Sequence, residues 1–295
     1  MNITVVGPGA VGSLWAIKLH QAGHNVSLWS RSTQATYPIA IDTESEIEFR
    51  NNDQSKLSES DLILVTVKAW QVEQAIQPLI PHLDKDTILL FMHNGMGAVD
   101  NIASSIEPFP VVLATTTQAA YKSTQNQVHH TGQGNTQLGG YNSKGNQCNF
   151  LIDVLNHALP DAIWNDNILQ ALWSKLAINC AINPLTGLEQ VKNGQLAKER
   201  YQPLINEIVA EVVKVMVAEN VQTSTESLRS IVEQVIHATA ANNSSMKQDM
   251  FYQRKTEIDF ITGHLLNTAR KHGIATPANQ ALFDRVKQQE ALWYK

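Results

Sequence analysis

The first thirty residues restrict the fold more than any other stretch. Asn2–Val6 (NITVV) is a short β-rich run that leads at once into Gly7-Pro8-Gly9-Ala10-Val11-Gly12. An apolar-periodic segment follows, through Val11, Leu14, Trp15, Ile17 and Leu19, and it ends near Gly23. A second β-rich run is Asn25–Trp29, NVSLW. Strand, G-x-G-x-x-G, helix and strand in this span are the opening of a Rossmann-type βαβ unit. The first glycine makes a tight turn, the second lets the backbone approach a pyrophosphate, and the third lets helix and strand pack closely. The helix N-terminus then faces the anion. Gly7, Pro8, Gly9, Ala10, Val11 and Gly12 are therefore expected to hold a dinucleotide.

The end of the second strand speaks to which dinucleotide. A carboxylate there would hold a ribose 2′-hydroxyl. This chain reads Leu28-Trp29-Ser30-Arg31-Ser32 instead. A carboxylate would repel a 2′-phosphate, whereas Arg31 can form charge-assisted bonds to one, helped by Ser30 or Ser32. The expected cofactor is NADPH.

Further buried strands are expected at Asp61–Val67, Thr87–Met92 and Val111–Thr117, each a nearly continuous apolar run of the kind parallel sheets require. Lys68 follows the first of these and Asn94 the second, both at the sheet edge where open α/β folds bind ligands. Ile39–Ile41 and Ile47–Phe49 resemble a hairpin, pieces around Val128–Thr131 and Thr136–Leu138 close the sheet, and Phe150–His157 is a last helix. His129 and His130 read as strand residues. Beyond Pro160–Asn165 almost all patterning is helical: a helix opening the second half, then Pro203–Glu219, Thr225–Ala238, Glu257–His272 and Ala278–Leu292. The fold class is thus α/β: a Rossmann-type domain over residues 1–165, then an all-α domain over 166–295.

The helical half opens on Asn167–Leu188, NILQALWSKLAINCAINPLTGL, which has a single formal charge, Lys175. Asn179 and Asn183 follow at four-residue steps, so the three share one helix face. A lone ammonium over two amides in an apolar helix is costly to bury without a partner. Two other places carry polar groups. Ala241–Asp249 (ANNSSMKQD) offers amides and hydroxyls for a carboxylate or a helix cap. Glu257 either favours a helix dipole or accompanies Lys175.

Bulk properties exclude several classes. Length suggests about two domains. A formal charge of −5 gives no basic face for nucleic acid, and no apolar run approaches a membrane span. The N-terminus enters directly as a strand with no signal-peptide pattern. The two cysteines, Cys148 and Cys180, have no metal-ligand spacing, so neither metal nor disulfide framework is expected. The expected location is the cytoplasm, and oligomeric state is not legible.

The order of blocks resembles the 2-dehydropantoate 2-reductase (ketopantoate reductase) family. The resemblance rests on GPGAVG at Gly7–Gly12, DLILVTVKAWQ at Asp61–Gln71, HNGMG at His93–Gly97 and TTTQAA at Thr115–Ala120. It continues through LWSKLAINCAINPLT at Leu172–Thr186, NG at Asn193–Gly194, SSMKQD at Ser244–Asp249 and TEID at Thr256–Asp259. It implies NADPH-dependent reduction of a small 2-oxo acid, 2-dehydropantoate, to (R)-pantoate, toward pantothenate and coenzyme A. It also implies roles: Gly7–Gly12, Arg31, Lys68, Asn94, Ala120 and Glu257 toward the cofactor, and Lys175 as proton donor. Asn94, Asn179, Asn183, Asn193 and Ser245 fall at substrate positions. Gln118 departs from the pattern, standing where relatives often carry His. A rival from another class, a nucleotide-sensing regulator without turnover, has no need of the Lys175–Asn179–Asn183 stripe.

Overall fold

The computed structural model describes residues 1–293; the final two residues of the expected second domain lie outside the described residues. The chain falls into two compact units, Met1–His93 with Ala98–Ile168, and Asn94–Gly97 with Leu169 onward.

In chain order the first unit contains β1 (Asn2–Val6), α1 (Ala10–Gln21), β2 (Asn25–Trp29), β3 (Thr36–Ile41), β4 (Ile47–Asn51) and α2 (Gln54–Ser58). Then come β5 (Leu62–Val65), α3 (Val72–Ile76), β6 (Ile88–Met92), α4 (Ala103–Ile106), β7 (Val111–Thr116), β8 (Ala119–Lys122) and β9 (Gln127–Gly132). It closes with β10 (Thr136–Gly140), α5 (Leu151–Ala158) and β11 (Ala162–Trp164). All eleven strands form one sheet, ordered β11-β10-β7-β6-β5-β1-β2-β4-β3-β9-β8. Its centre is parallel, with Val6 beside both Trp29 and Val65, and Val65 beside Phe91. The chain therefore leaves β1, β2, β5 and β6 at the same edge of the sheet.

β-Branched and aliphatic residues make these central strands, and β5, β6 and β7 are buried throughout. Helix α1 is buried from Gly12 to Ile17 and again at Leu19. It packs against β8, β9, β3 and α5 as well as β1 and β2, which explains why it lacks a polar face. Fully burying side chains such as Leu14 and Ile17 contributes roughly 1.5–3 kcal/mol each.

The hairpin read at Ile39–Phe49 is the antiparallel pair β3–β4. The two later pieces do not lie together: β10 pairs with β7, whereas β9 crosses to the opposite edge and pairs with β3. Strand β8 is not expected from the sequence; it is the outer partner of β9.

The second unit is helical: α6 (Ile168–Glu189), α7 (Gln202–Ala218), α8 (Thr225–Ala238), α9 (Ser245–Phe251), α10 (Thr262–Lys271) and α11 (Pro277–Trp293). Its core gathers Trp173, Leu176 and Cys180 of α6 with Ile208 and Val212 of α7, Val232 of α8, Leu265 of α10 and Leu282 of α11. The helix expected from Glu257 to His272 is broken. A 3-10 turn at Ile258–Phe260 precedes α10, and Ile261 between them is not helical. No described helix is long and apolar enough to cross a membrane. Among the described residues no group of His, Cys, Asp and Glu could hold a metal ion.

Candidate active site

Three segments line the edge where the parallel strands end. Gly7–Gly12 follows β1, Ser30–Ser32 follows β2, and Thr66–Lys68 follows β5. The glycine loop is tight at its two ends and open at its middle glycine. Gly7 has φ +86°, and a Cβ there would lie 2.4 Å from Val67 Cγ1. A Cβ on Gly12 would meet the Gly7 carbonyl at 2.4 Å and Thr66 Oγ1 at 2.3 Å, whereas one on Gly9 would meet nothing within 4 Å. Helix α1 starts at Ala10 with no acidic residue in its first turn, so its N-terminal dipole is not neutralised locally. This shape suits a pyrophosphate.

The loop's supports were not legible from its own sequence. Thr66 Oγ1 donates to the Gly7 carbonyl at 2.9 Å. Ser13 Oγ and Lys122 Nζ donate to the Pro8 carbonyl at 3.1 and 2.8 Å. Arg31 is exposed. Its loop is held by two asparagines at the end of β4. Asn52 Nδ2 donates to the Ser32 carbonyl at 2.6 Å, Asn52 Oδ1 accepts from the Ser30 N–H at 2.9 Å, and Asn51 Nδ2 donates to the Gln34 carbonyl at 2.7 Å. Lys68 is half-buried and starts the 3-10 turn Ala69–Gln71. Ala120 is half-buried in β8 against the core of the first unit. Gln118, the departure from the family pattern, is buried and structural. Its side chain donates to the Gly134 carbonyl, accepts the Gly134 N–H at 3.1 Å, and lies 2.9 Å from His130 Nε2.

The second unit assembles its own polar group. Lys175 and Asn179 are half-buried on α6, and Asn183 is buried one turn further on. Glu257 is buried, 4% exposed, and its carboxylate raises the Lys175 pKa. Desolvation is the larger influence and lowers that pKa to about 8. Asn94 Nδ2 donates to Glu257 Oε2 at 3.2 Å. Asn94 is set there by its neighbours: Gly95 has φ +78° and approaches Phe260 so closely that a Cβ would lie 2.4 Å from the Phe260 carbonyl. The Met96 N–H donates to that same carbonyl at 2.8 Å. Thus Lys175, Glu257 and Asn94 form one cluster.

Glu257 is positioned by groups the sequence did not single out. The Thr256 N–H and Oγ1 both donate to Glu290 Oε1 of α11, at 2.8 and 2.7 Å, and Glu290 pairs with Lys287 at 3.2 Å. At the far end of the stripe, Thr186 Oγ1 and Ser244 Oγ are 2.7 Å apart, which brings the start of α9 to the turn of α6 beyond Asn183. Ser244 caps α9 by accepting the Lys247 N–H. Ser245, the first residue of α9, is exposed. Asn193 is buried and tied to the end of α8: its Nδ2 donates to Thr239 Oγ1 at 2.9 Å.

Two family models match almost the whole chain. Ketopantoate reductase PanE/ApbA covers residues 3–143, and Ketopantoate reductase PanE/ApbA C terminal covers residues 167–290. The chain belongs to the ketopantoate reductase family. A 2-dehydropantoate 2-reductase of Vibrio cholerae serotype O1 is 57% identical over 295 residues, covering all of both chains. Among solved structures, a ternary complex of D-mandelate dehydrogenase with NADH and anilino(oxo)acetate superposes with a TM-score of 0.90 at 26% identity, covering all of both chains. A PanE/ApbA family ketopantoate reductase from Ralstonia eutropha JMP134 gives 0.89 at 25% identity, again over all of both chains.

Proposed function

We propose that this chain catalyses NADPH-dependent reduction of 2-dehydropantoate to (R)-pantoate, a step toward pantothenate and coenzyme A. As a ketopantoate reductase it is an oxidoreductase acting on a 2-oxo acid. The observation that carries the chemistry is the cluster of Lys175, Glu257 and Asn94. A dinucleotide is supported by the glycine loop, and the related D-mandelate dehydrogenase was solved with NADH. The phosphorylated form is our reading of Ser30-Arg31-Ser32, where a guanidinium stands in place of a carboxylate.

When bound, the nicotinamide supplies a hydride to the ketone carbon. Negative charge then grows on the carbonyl oxygen. Lys175 stabilises that oxygen as an ammonium and gives it a proton. A pKa near 8 keeps the group charged at neutral pH while making its proton easier to transfer than that of a free lysine. Glu257 offsets the ammonium's charge and fixes Asn94. Asn179 and Asn183 orient the lysine or bind the hydroxyl end of the substrate, and Ser245 anchors its carboxylate. Asn193, held by its bond to Thr239, is the remaining substrate position.

The test is NADPH oxidation with 2-dehydropantoate, with an aryl-substituted 2-oxo acid, and with small unbranched 2-oxo acids. We expect 2-dehydropantoate to give the highest kcat/KM. A preference for the aryl acid would instead align the chain with its mandelate-dehydrogenase neighbour. Lys175→Ala should lower kcat by about 10²–10⁴-fold; a value within a few-fold of wild type would remove it as the acid. NADPH should exceed NADH in kcat/KM, and Arg31→Ala should narrow the gap. Equal efficiency in the wild type would refute the role given to Arg31.

A further inference from the structure

The glycine-rich loop has an anchor that its own motif does not announce. Lys122 is the last residue of β8, half-buried, and two positions from Ala120, so both project from the same face of the strand. Its Nζ donates to the Pro8 carbonyl at 2.8 Å, to the Gln125 carbonyl at 2.7 Å and to the Tyr37 hydroxyl at 3.4 Å. It also lies 5.2 Å from the centre of the Tyr37 ring. All three ammonium donors are thereby engaged.

Two features of this arrangement point to a ligand. The Pro8 carbonyl is gripped from both sides, by Ser13 on α1 and by Lys122 on β8, so one peptide of the loop is fixed to the β8–β9 hairpin. The three acceptors around the ammonium are two carbonyls and a phenol, none of them charged. The positive charge therefore stays uncompensated by its bonded partners, next to a loop whose open position, Gly9, leaves room for an incoming group. Burial is costly for such a group and pushes its pKa down to about 8. An anion arriving at the loop would recover part of that cost.

We propose that Lys122 is a positioning residue for the dinucleotide: it holds the Pro8 peptide in the shape that receives the pyrophosphate, and its charge favours that anion. This rests on the reading that Gly7–Gly12 binds the dinucleotide. Lys122 acts on cofactor binding and not on proton or hydride transfer. Its removal should therefore change cofactor affinity while leaving turnover at saturating cofactor unchanged.

The experiment is titration of the protein with NADPH, read by the fluorescence of the bound reduced nicotinamide, for wild type, Lys122→Met and Lys122→Arg. Steady-state kinetics and thermal midpoints without ligand accompany it. Lys122→Met should raise the NADPH Kd by about tenfold or more, since the Pro8 peptide loses its anchor and the pyrophosphate a nearby positive charge. Its kcat at saturating NADPH and its KM for the 2-oxo acid should stay within about twofold. Lys122→Arg retains the charge and the carbonyl donors and should recover most of the lost affinity. If Lys122→Met fails to fold, Lys122→Gln provides the same comparison with a polar side chain. An unchanged Kd in the neutral variant overturns the proposal and leaves the loop reading intact. A loss that Arg does not restore overturns it as well, because packing and not charge would then be responsible. Failure of the wild type to bind NADPH would instead overturn the reading of the loop itself.

Discussion

Lys175 is governed by two opposed influences. Burial disfavours its charged form and lowers its pKa to about 8, and the Glu257 carboxylate pulls in the other direction. If Lys175 is the proton donor, as proposed, it must be protonated to act, so kcat/KM for carbonyl reduction should fall as pH rises through about 8. Glu257→Gln removes the influence that raises the pKa, and so the alkaline limb should move to lower pH. A pH–rate profile for the two proteins decides this. A limb that stays in place, or moves up, would separate Glu257 from the proton donor. The stripe itself was legible, because Lys175, Asn179 and Asn183 obey the helical period and nothing else in α6 is charged between Asp166 and Glu189. Its partner was only a candidate. The bond from Asn94 to Glu257 spans 163 positions, and no local pattern carries that information. The same holds for Lys122, 114 positions from Pro8.

At the scale of elements, the parallel core was readable because both of its faces are buried and its strands are uniformly apolar. The edges were not. Strand β8 reads half-buried, half-buried, exposed, half-buried, with no alternation to mark it, and only pairing with β9 makes it a strand. The break before α10 was missed for a similar reason. TEIDFITGHLL has helical composition, but the Phe260 carbonyl is taken by the Met96 N–H. The start of α11 rests on a buried carboxylate from another helix. Glu211 of α7 accepts the N–H groups of Ala278 and Asn279 at 2.8 and 3.0 Å, and Asn279 Nδ2 at 2.8 Å. Glu211→Ala would leave these buried donors unsatisfied and should destabilise the helical unit by about 2–4 kcal/mol. Urea unfolding followed by circular dichroism measures this. Glu211→Gln retains one acceptor and should lose less. A cost under about 0.5 kcal/mol for the alanine variant would show that water replaces the carboxylate.

The molecule as a whole divides its chemistry between two units with separate cores, one holding the glycine loop and the other the lysine cluster. Cofactor binding should therefore be seen first in one of them. In hydrogen exchange, NADPH should slow the amides of Gly9–Ser13 and Ala119–Lys122 more than those inside α7 and α8. A larger effect in α7 and α8 would place the cofactor elsewhere. The division is not a simple cut in the chain. Asn94–Gly97, from the first third of the sequence, belongs to the helical unit. During synthesis this tetrapeptide leaves the ribosome long before Phe260, the residue against which Gly95 closes, so the helical unit cannot complete itself until nearly the whole chain has emerged. A fragment starting at Leu169 lacks the tetrapeptide that carries Asn94 to Glu257 and Gly95 to Phe260.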